Sequence, residues 1–152
     1  MKFADFLVGL VLKTSSYKVT EEEIIQFAKA YDPQWFHTNI EAAKIGPFQG
    51  LIGSGWMTCG IAMKLVADEI LNGSESNGSP GLAYLRWPAP VRPGDELFVQ
   101  TTVIDQRFSN SKPHMGILKW RWQVFNQSNI EVLDLEATSF FDTSMKTIPA
   151  SE

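Results

Sequence analysis

The chain has 152 residues, 44% of them hydrophobic and 12% aromatic, with a formal net charge of −4. That length suits one globular domain, expected over residues 1–152, burying roughly two-thirds of its unfolded surface. The thirteen Lys and Arg are scattered, which argues against a nucleic-acid surface, and the single Cys59 excludes a disulfide framework and a cysteine-rich zinc site, favouring a reducing, cytoplasmic setting.

The first segment, Met1 to Leu12, places Lys2 before an apolar run, the outline of a secretory leader. Asp5 interrupts it, the run is short, and no small-residue cleavage site precedes Lys13, so it is expected to belong to the folded chain. No stretch approaches the roughly 18 to 20 apolar residues that span a membrane. Next, Thr20 followed by Glu23 reads as a capping box, with Val19 and Ile24 as the accompanying staple. Ile24, Phe27, Ala28 and Tyr31 then recur on one face of a helix. Pro33 ends it, because the residue before a proline is pushed out of the helical region. Asp32 and His37 therefore fall on an irregular segment leaving the helix. Thr38 and Glu41 suggest a second, short capped helix through about Lys44.

From Gly55 or Trp56 to about Leu71, apolar residues occupy almost every face, so this helix is expected to be buried all round. The polar stretch Asn72 to Pro80 reads as a loop. Strands follow at Leu82 to Trp87, Leu97 to Ile104, Leu118 to Val124 and Ile130 to Phe141, with turn material from Pro88 to Asp95. Leu118, Trp120, Trp122 and Val124 give the clearest period of two, and His114 lies in a hairpin-like connection, expected to be exposed. Short turns between neighbouring strands imply an antiparallel sheet. The fold class is α+β, a curved sheet wrapped around a buried helix.

Chemistry concentrates in Tyr31-Asp32-Pro33-Gln34-Trp35-Phe36-His37. A carboxylate and an imidazole held close together can share the handling of one water, the carboxylate taking a proton while the imidazole gives one. Singly, an Asp before proline is a common turn residue, and an isolated His is more often structural than catalytic. Gly53-Ser54-Gly55 has no lysine after it and is no phosphate loop. Ser54 reads as a helix cap and not as a nucleophile, since no nucleophile-elbow pattern flanks it. Trp120 and Trp122 read as core or interface.

Phe27-Ala28, Asp32, His37, Glu41-Ala42-Ala43, Phe48, Gly50-Leu51-Ile52, Ser54-Gly55-Trp56 and Pro90-Val91-Arg92-Pro93-Gly94-Asp95 together resemble the MaoC-like dehydratases, the family of the (R)-specific enoyl-CoA hydratases, over nearly the whole chain. The family pattern commonly reads Asp, any residue, Asn, Pro, any residue, His. Asp32 and His37 match its ends, while Gln34 and Trp35 stand in the places of the Asn and Pro and Pro33 directly follows Asp32. Met63 stands where some (R)-specific hydratases carry a serine. The resemblance implies the hot-dog fold, at least a homodimer, and reversible hydration of a 2-enoyl-CoA thioester, with no metal and no cofactor beyond the coenzyme A of the substrate. It makes Asp32, His37 and Gly55 catalytic, the last through an oxyanion-binding N–H. Trp35, Phe36, Ser54 and Trp56 become candidate substrate contacts. Arg86, Arg92, Arg107, Lys112 and Lys119 become candidates for the coenzyme phosphates. Two other readings stay open: a hot-dog thioesterase, which needs a catalytic acid or polar group in or near the central helix, and a non-catalytic acyl-binding or assembly subunit.

Overall fold

The computed structural model describes residues 1–145, so the last residues of the expected domain lie outside the described range. Four long or moderate strands form the frame: β3 (Ser76–Arg86), β4 (Glu96–Phe108), β5 (Met115–Phe125) and β6 (Glu131–Asp142). Two short strands, β1 (Val11–Lys13) and β2 (Tyr17–Lys18), pair with β4, giving an antiparallel sheet of order β1-β4-β5-β6-β3 with β2 beside the far end of β4. Before the sheet come α1 (Glu21–Tyr31), the single turn α2 (Trp35–Thr38), α3 (Ile40–Ile45) and α4 (Gly55–Val66), which runs on into a π-helical turn at Ala67–Leu71. The sheet curves around α4 in the hot-dog arrangement that the sequence implies.

Alternation along the strands explains which face turns inward. Val99, Thr101 and Val103 on β4 are buried opposite Val124, Trp122 and Trp120 on β5, and the last two pair in turn with Leu135 and Ala137 on β6. Onto that face α4 lays Met57, Ile61, Leu65 and Val66, and each such side chain stabilises the fold by roughly 1.5–3 kcal/mol when buried. The N-terminal run closes one end. Phe6 packs 5.6 Å from Trp120 and 5.5 Å from Phe141, and Phe3 sits so close to Gly116 that an added Cβ there would lie 2.7 Å from its ring.

Several expectations are corrected. The helix α4 is not buried all round: Trp56 is 59% and Met63 43% exposed, and Gly60 and Lys64 complete an open stripe, because the sheet wraps only one side of it. Tyr31, expected on the inner face of α1, is exposed; the helix meets the core through Ile24 and Ala28. Asn39, not Thr38, caps α3, its side chain accepting the Ala42 N–H, while Thr38 closes α2 by donating to the Gln34 carbonyl. Half of the polar stretch read as a loop is strand: Ser76 to Pro80 pair with β6 through register shifts that Gly78 and Gly81 permit with φ of 124° and 139°. Strands β1 and β2 had no period to betray them, being three and two residues long.

Leu65→Ala removes a 6%-exposed side chain from the contact between α4 and the sheet, and is expected to cost about 2–5 kcal/mol of stability, measurable by urea denaturation.

Candidate active site

Asp32 is the residue at which α1 stops. Its N–H still bonds to the Ala28 carbonyl, but its backbone has left the helix (φ −152°, ψ 67°) because Pro33 forbids another turn. One helical turn later, α2 presents His37, so the imidazole lies on a short helix and not on the irregular segment expected from sequence. The two side chains meet, with His37 Nε2 3.2 Å from Asp32 Oδ2.

Each partner is held by identifiable groups. The Nδ1 of His37 lies 2.7 Å from the Ile52 carbonyl. A carbonyl only accepts, so that nitrogen carries a proton and Nε2 is left as the atom that exchanges one. His37 is 5% exposed, and the edge of the Phe36 ring packs against the imidazole at a centroid distance of 4.4 Å. Asp32 Oδ1 accepts from Gln34 Nε2 and Oδ2 from Ser54 Oγ, both at 2.7 Å. The Gln34 and Ser54 hydrogen bonds, followed by the nearby His37, hold the Asp32 carboxyl below the usual carboxylate range against the opposing effect of partial burial.

Ser54 is the N-cap of α4, its hydroxyl oxygen accepting the Trp56 N–H, as expected. The sequence carried no sign that the same hydroxyl donates to Asp32. Gly55 is the first helical residue, so its N–H has no acceptor within the helix. Glycine is required here by a close approach. A Cβ would stand 2.3 Å from the indole of Trp87, whose Nε1 donates to the Gly55 carbonyl at 3.0 Å.

A cleft of about 290 Å³ opens against these groups, lined among others by His37, Gly53, Gly55, Thr58, Trp87 and Val132. Asp32 is not part of that lining and reaches it by way of His37. Of the four expected substrate contacts, the structure puts none in this lining. Trp35 lies over Gly46 and edge-on to Phe36, and Phe36 supports the imidazole. Ser54 is fully buried behind Asp32. Trp56 packs edge-to-face on Trp87 and faces a second, apolar cavity of about 380 Å³ with Cys59, Met63, Leu82 and Leu135.

Among residues the sequence did not single out, Trp87 forms the wall of the cleft. It sits at the end of β3, more than thirty positions from Gly55, and no local pattern links the two. Two of the candidate phosphate ligands are engaged within the chain. Arg92 donates to the Phe48 carbonyl at 2.7 Å, pinning the loop at the cleft mouth, and Arg86 lies over the Tyr84 ring. Among the described residues no cluster of three or more His, Cys, Asp and Glu is placed to hold a metal ion, and no helix is long and apolar enough to cross a membrane.

A sheet curved around one helix, with a carboxylate and an imidazole meeting beside that helix's first N–H groups, is the hot-dog architecture of MaoC type. Residues 6–118 match the MaoC like domain, and the chain belongs to that family. The crystal structure of the MaoC-like dehydratase from Rhodospirillum rubrum superimposes with a TM-score of 0.85 at 35% identity, over 91% of this chain and 94% of that one. The uncharacterized protein YdeM of Bacillus subtilis is 35% identical over 136 residues, 90% of this chain and 95% of its own. The 3-hydroxyacyl-thioester dehydratase Z of Mycobacterium tuberculosis is 33% identical over 88 residues, 57% of this chain and 58% of its own.

Ser54→Ala removes both a cap and a donor to Asp32. It is expected to cost about 1 kcal/mol or more at neutral pH. Because the folded-state Asp32 carboxyl is held low, its stabilising contribution is present above the ordinary carboxylate range and is lost as pH falls through the folded value. The difference between Ser54→Ala and the parent should therefore shrink on acidification, as read from chemical denaturation over a pH series.

Proposed function

We propose that this protein adds water reversibly to a 2-enoyl thioester of coenzyme A, or removes it from the 3-hydroxyacyl thioester. The observation that carries the reading is the contact between Asp32 and His37 at 3.2 Å, beside a helix start whose first N–H has no acceptor within the helix. The similarity to the mycobacterial 3-hydroxyacyl-thioester dehydratase supports the substrate class.

In the hydration direction, Asp32 takes a proton from water as its oxygen bonds to the β-carbon. The electron pair of the double bond moves toward the thioester oxygen, and the Gly55 N–H meets the charge that develops there. Such a donor is worth roughly 3 kcal/mol in a dry oxyanion site, and the dipole of α4 acts in the same sense. His37 Nε2 delivers a proton to the α-carbon. The proton gained by Asp32 then passes across the short contact to Nε2, which restores both groups. Trp56 and the apolar cavity beside it supply surface for the acyl chain.

The exposed edge of β3, together with Leu82, Trp56 and Met63 on the open side of α4, supports assembly into a homodimer at that face. A thioesterase is less well supported. The carboxylates that follow α4, Asp68 and Glu69, lie in the π-helical turn at its far end, the first bonded to Lys64 and the second to the Ser15 N–H.

Incubation with crotonyl-CoA should bleach the absorbance of the conjugated double bond, whereas acetyl-CoA should release no free thiol. Asp32→Asn and His37→Gln are each expected to lower the hydration rate by about 10²–10⁴-fold. Thiol release would make the protein a thioesterase, and inertness toward both substrates would leave the non-catalytic acyl-binding subunit.

A further inference from the structure

We propose that Gln34 is a positioning residue that locks Asp32 and His37 into one geometry. The inference rests on the hydration reading above and goes beyond it, since Gln34 is one of the residues by which this chain departs from the usual pattern between the two site residues.

Gln34 touches both partners. Its side-chain amide donates to Asp32 Oδ1 at 2.7 Å, and its N–H donates to the Asp32 carbonyl at 2.8 Å. Its carbonyl accepts the His37 N–H at 3.0 Å and the Thr38 hydroxyl at 3.1 Å, so it also starts the turn that carries the imidazole. The side chain is exposed and the residue offers no packing to the core. Its hydrogen bonds are what distinguish it.

An ionised carboxylate offers about four lone-pair directions. Ser54 Oγ and His37 Nε2 both address Oδ2, leaving Gln34 as the group that engages Oδ1. Without it the carboxylate is held at one oxygen and can pivot about it. With it, three directions are taken and one on Oδ1 stays free for a water. Displacing a reacting group by about 1 Å can cost as much as 10²-fold in rate, so a fixed carboxylate matters to the chemistry more than to the fold. The same hydrogen bond is the main reason the Asp32 carboxyl lies low; Ser54 and His37 of α2 lower it further.

The test uses the full chain with crotonyl-CoA. Gln34→Ala and the isosteric Gln34→Glu should each lower kcat about tenfold, the size expected for losing a hydrogen bond to a charged group, with KM unchanged. The acid limb of the kcat/KM profile should move to higher pH, and Gln34→Asn, which keeps the amide, should recover most of kcat. In parallel, the Asp32 carboxyl resonance, assigned by its absence in Asp32→Asn, should titrate at higher pH in Gln34→Ala than in the parent. A rise in KM at constant kcat, or an unmoved Asp32 titration, overturns the proposal. Should the parent fail to hydrate crotonyl-CoA, the hydratase reading falls, while the Asp32 titration still decides whether Gln34 governs the carboxylate.

Discussion

The buried segment from Leu51 to Ser54 is where the site is tied to the fold. The Ile52 carbonyl fixes the His37 imidazole, and the Ile52 N–H bonds back to Phe36 on the same turn. The Gly53 N–H reaches the Val91 carbonyl in the connection after β3. Ser54, fully buried, joins the start of α4 to the Asp32 carboxylate. Three consecutive residues, Ile52 to Ser54, thus hold α1, α2, α4 and a sheet connection in one arrangement. With little water to compete, each of these hydrogen bonds is stronger than it would be at the surface, and each would be costly to leave unmade.

The sheet supplies the rigid backing that such an arrangement needs. Its inner face is apolar, but β3 is an edge strand with irregular register and few large side chains, and it is secured from the outer face by charge. Arg121 on β5 makes two parallel hydrogen bonds of 2.9 Å to Asp134 on β6, and Tyr84 on β3 donates to the same carboxylate at 3.0 Å. The Arg121 guanidinium holds the Asp134 carboxyl below its usual range. Fork geometry of this kind specifies register as well as adding stability, because it is lost if a strand slips by one residue. The polypeptide around Trp87, which walls the cleft, leaves the end of β3 and inherits that register.

Two close approaches shape the space beside the dyad. Trp87 lies against the Cα of Gly55 and hydrogen-bonds its carbonyl, which fixes the indole at the start of α4. Arg92 holds the Phe48 carbonyl at the other side of the mouth. Both contacts tie a side chain to backbone atoms, which holds the walls of the cleft in place.

Much of the framework was legible in the sequence because its signals are local. The capping box at Thr20 and Glu23, the stop at Pro33, the Ser54 cap and the alternation from Leu118 to Val124 each depend on neighbours a few residues apart, and each appears in the structure. The spacing of Asp32 and His37 was likewise readable, and with the surrounding motif it pointed to the family. What local pattern does not encode is which side of an apolar helix a curved sheet will cover, so the open stripe of Trp56 and Met63 and the exposure of Tyr31 went unread. The short strands β1 and β2 and the glycine-bearing start of β3 exist only because β4 and β6 offer them partners. The bonds of Ser54 and Gln34 to Asp32, the Ile52 carbonyl on His37 and the indole over Gly55 depend on where side chains point after folding. The sequence by itself determined the main helices and strands and the two titratable groups. The tertiary structure alone decided their contacts, because those distances are the outcome of packing segments far apart in the chain.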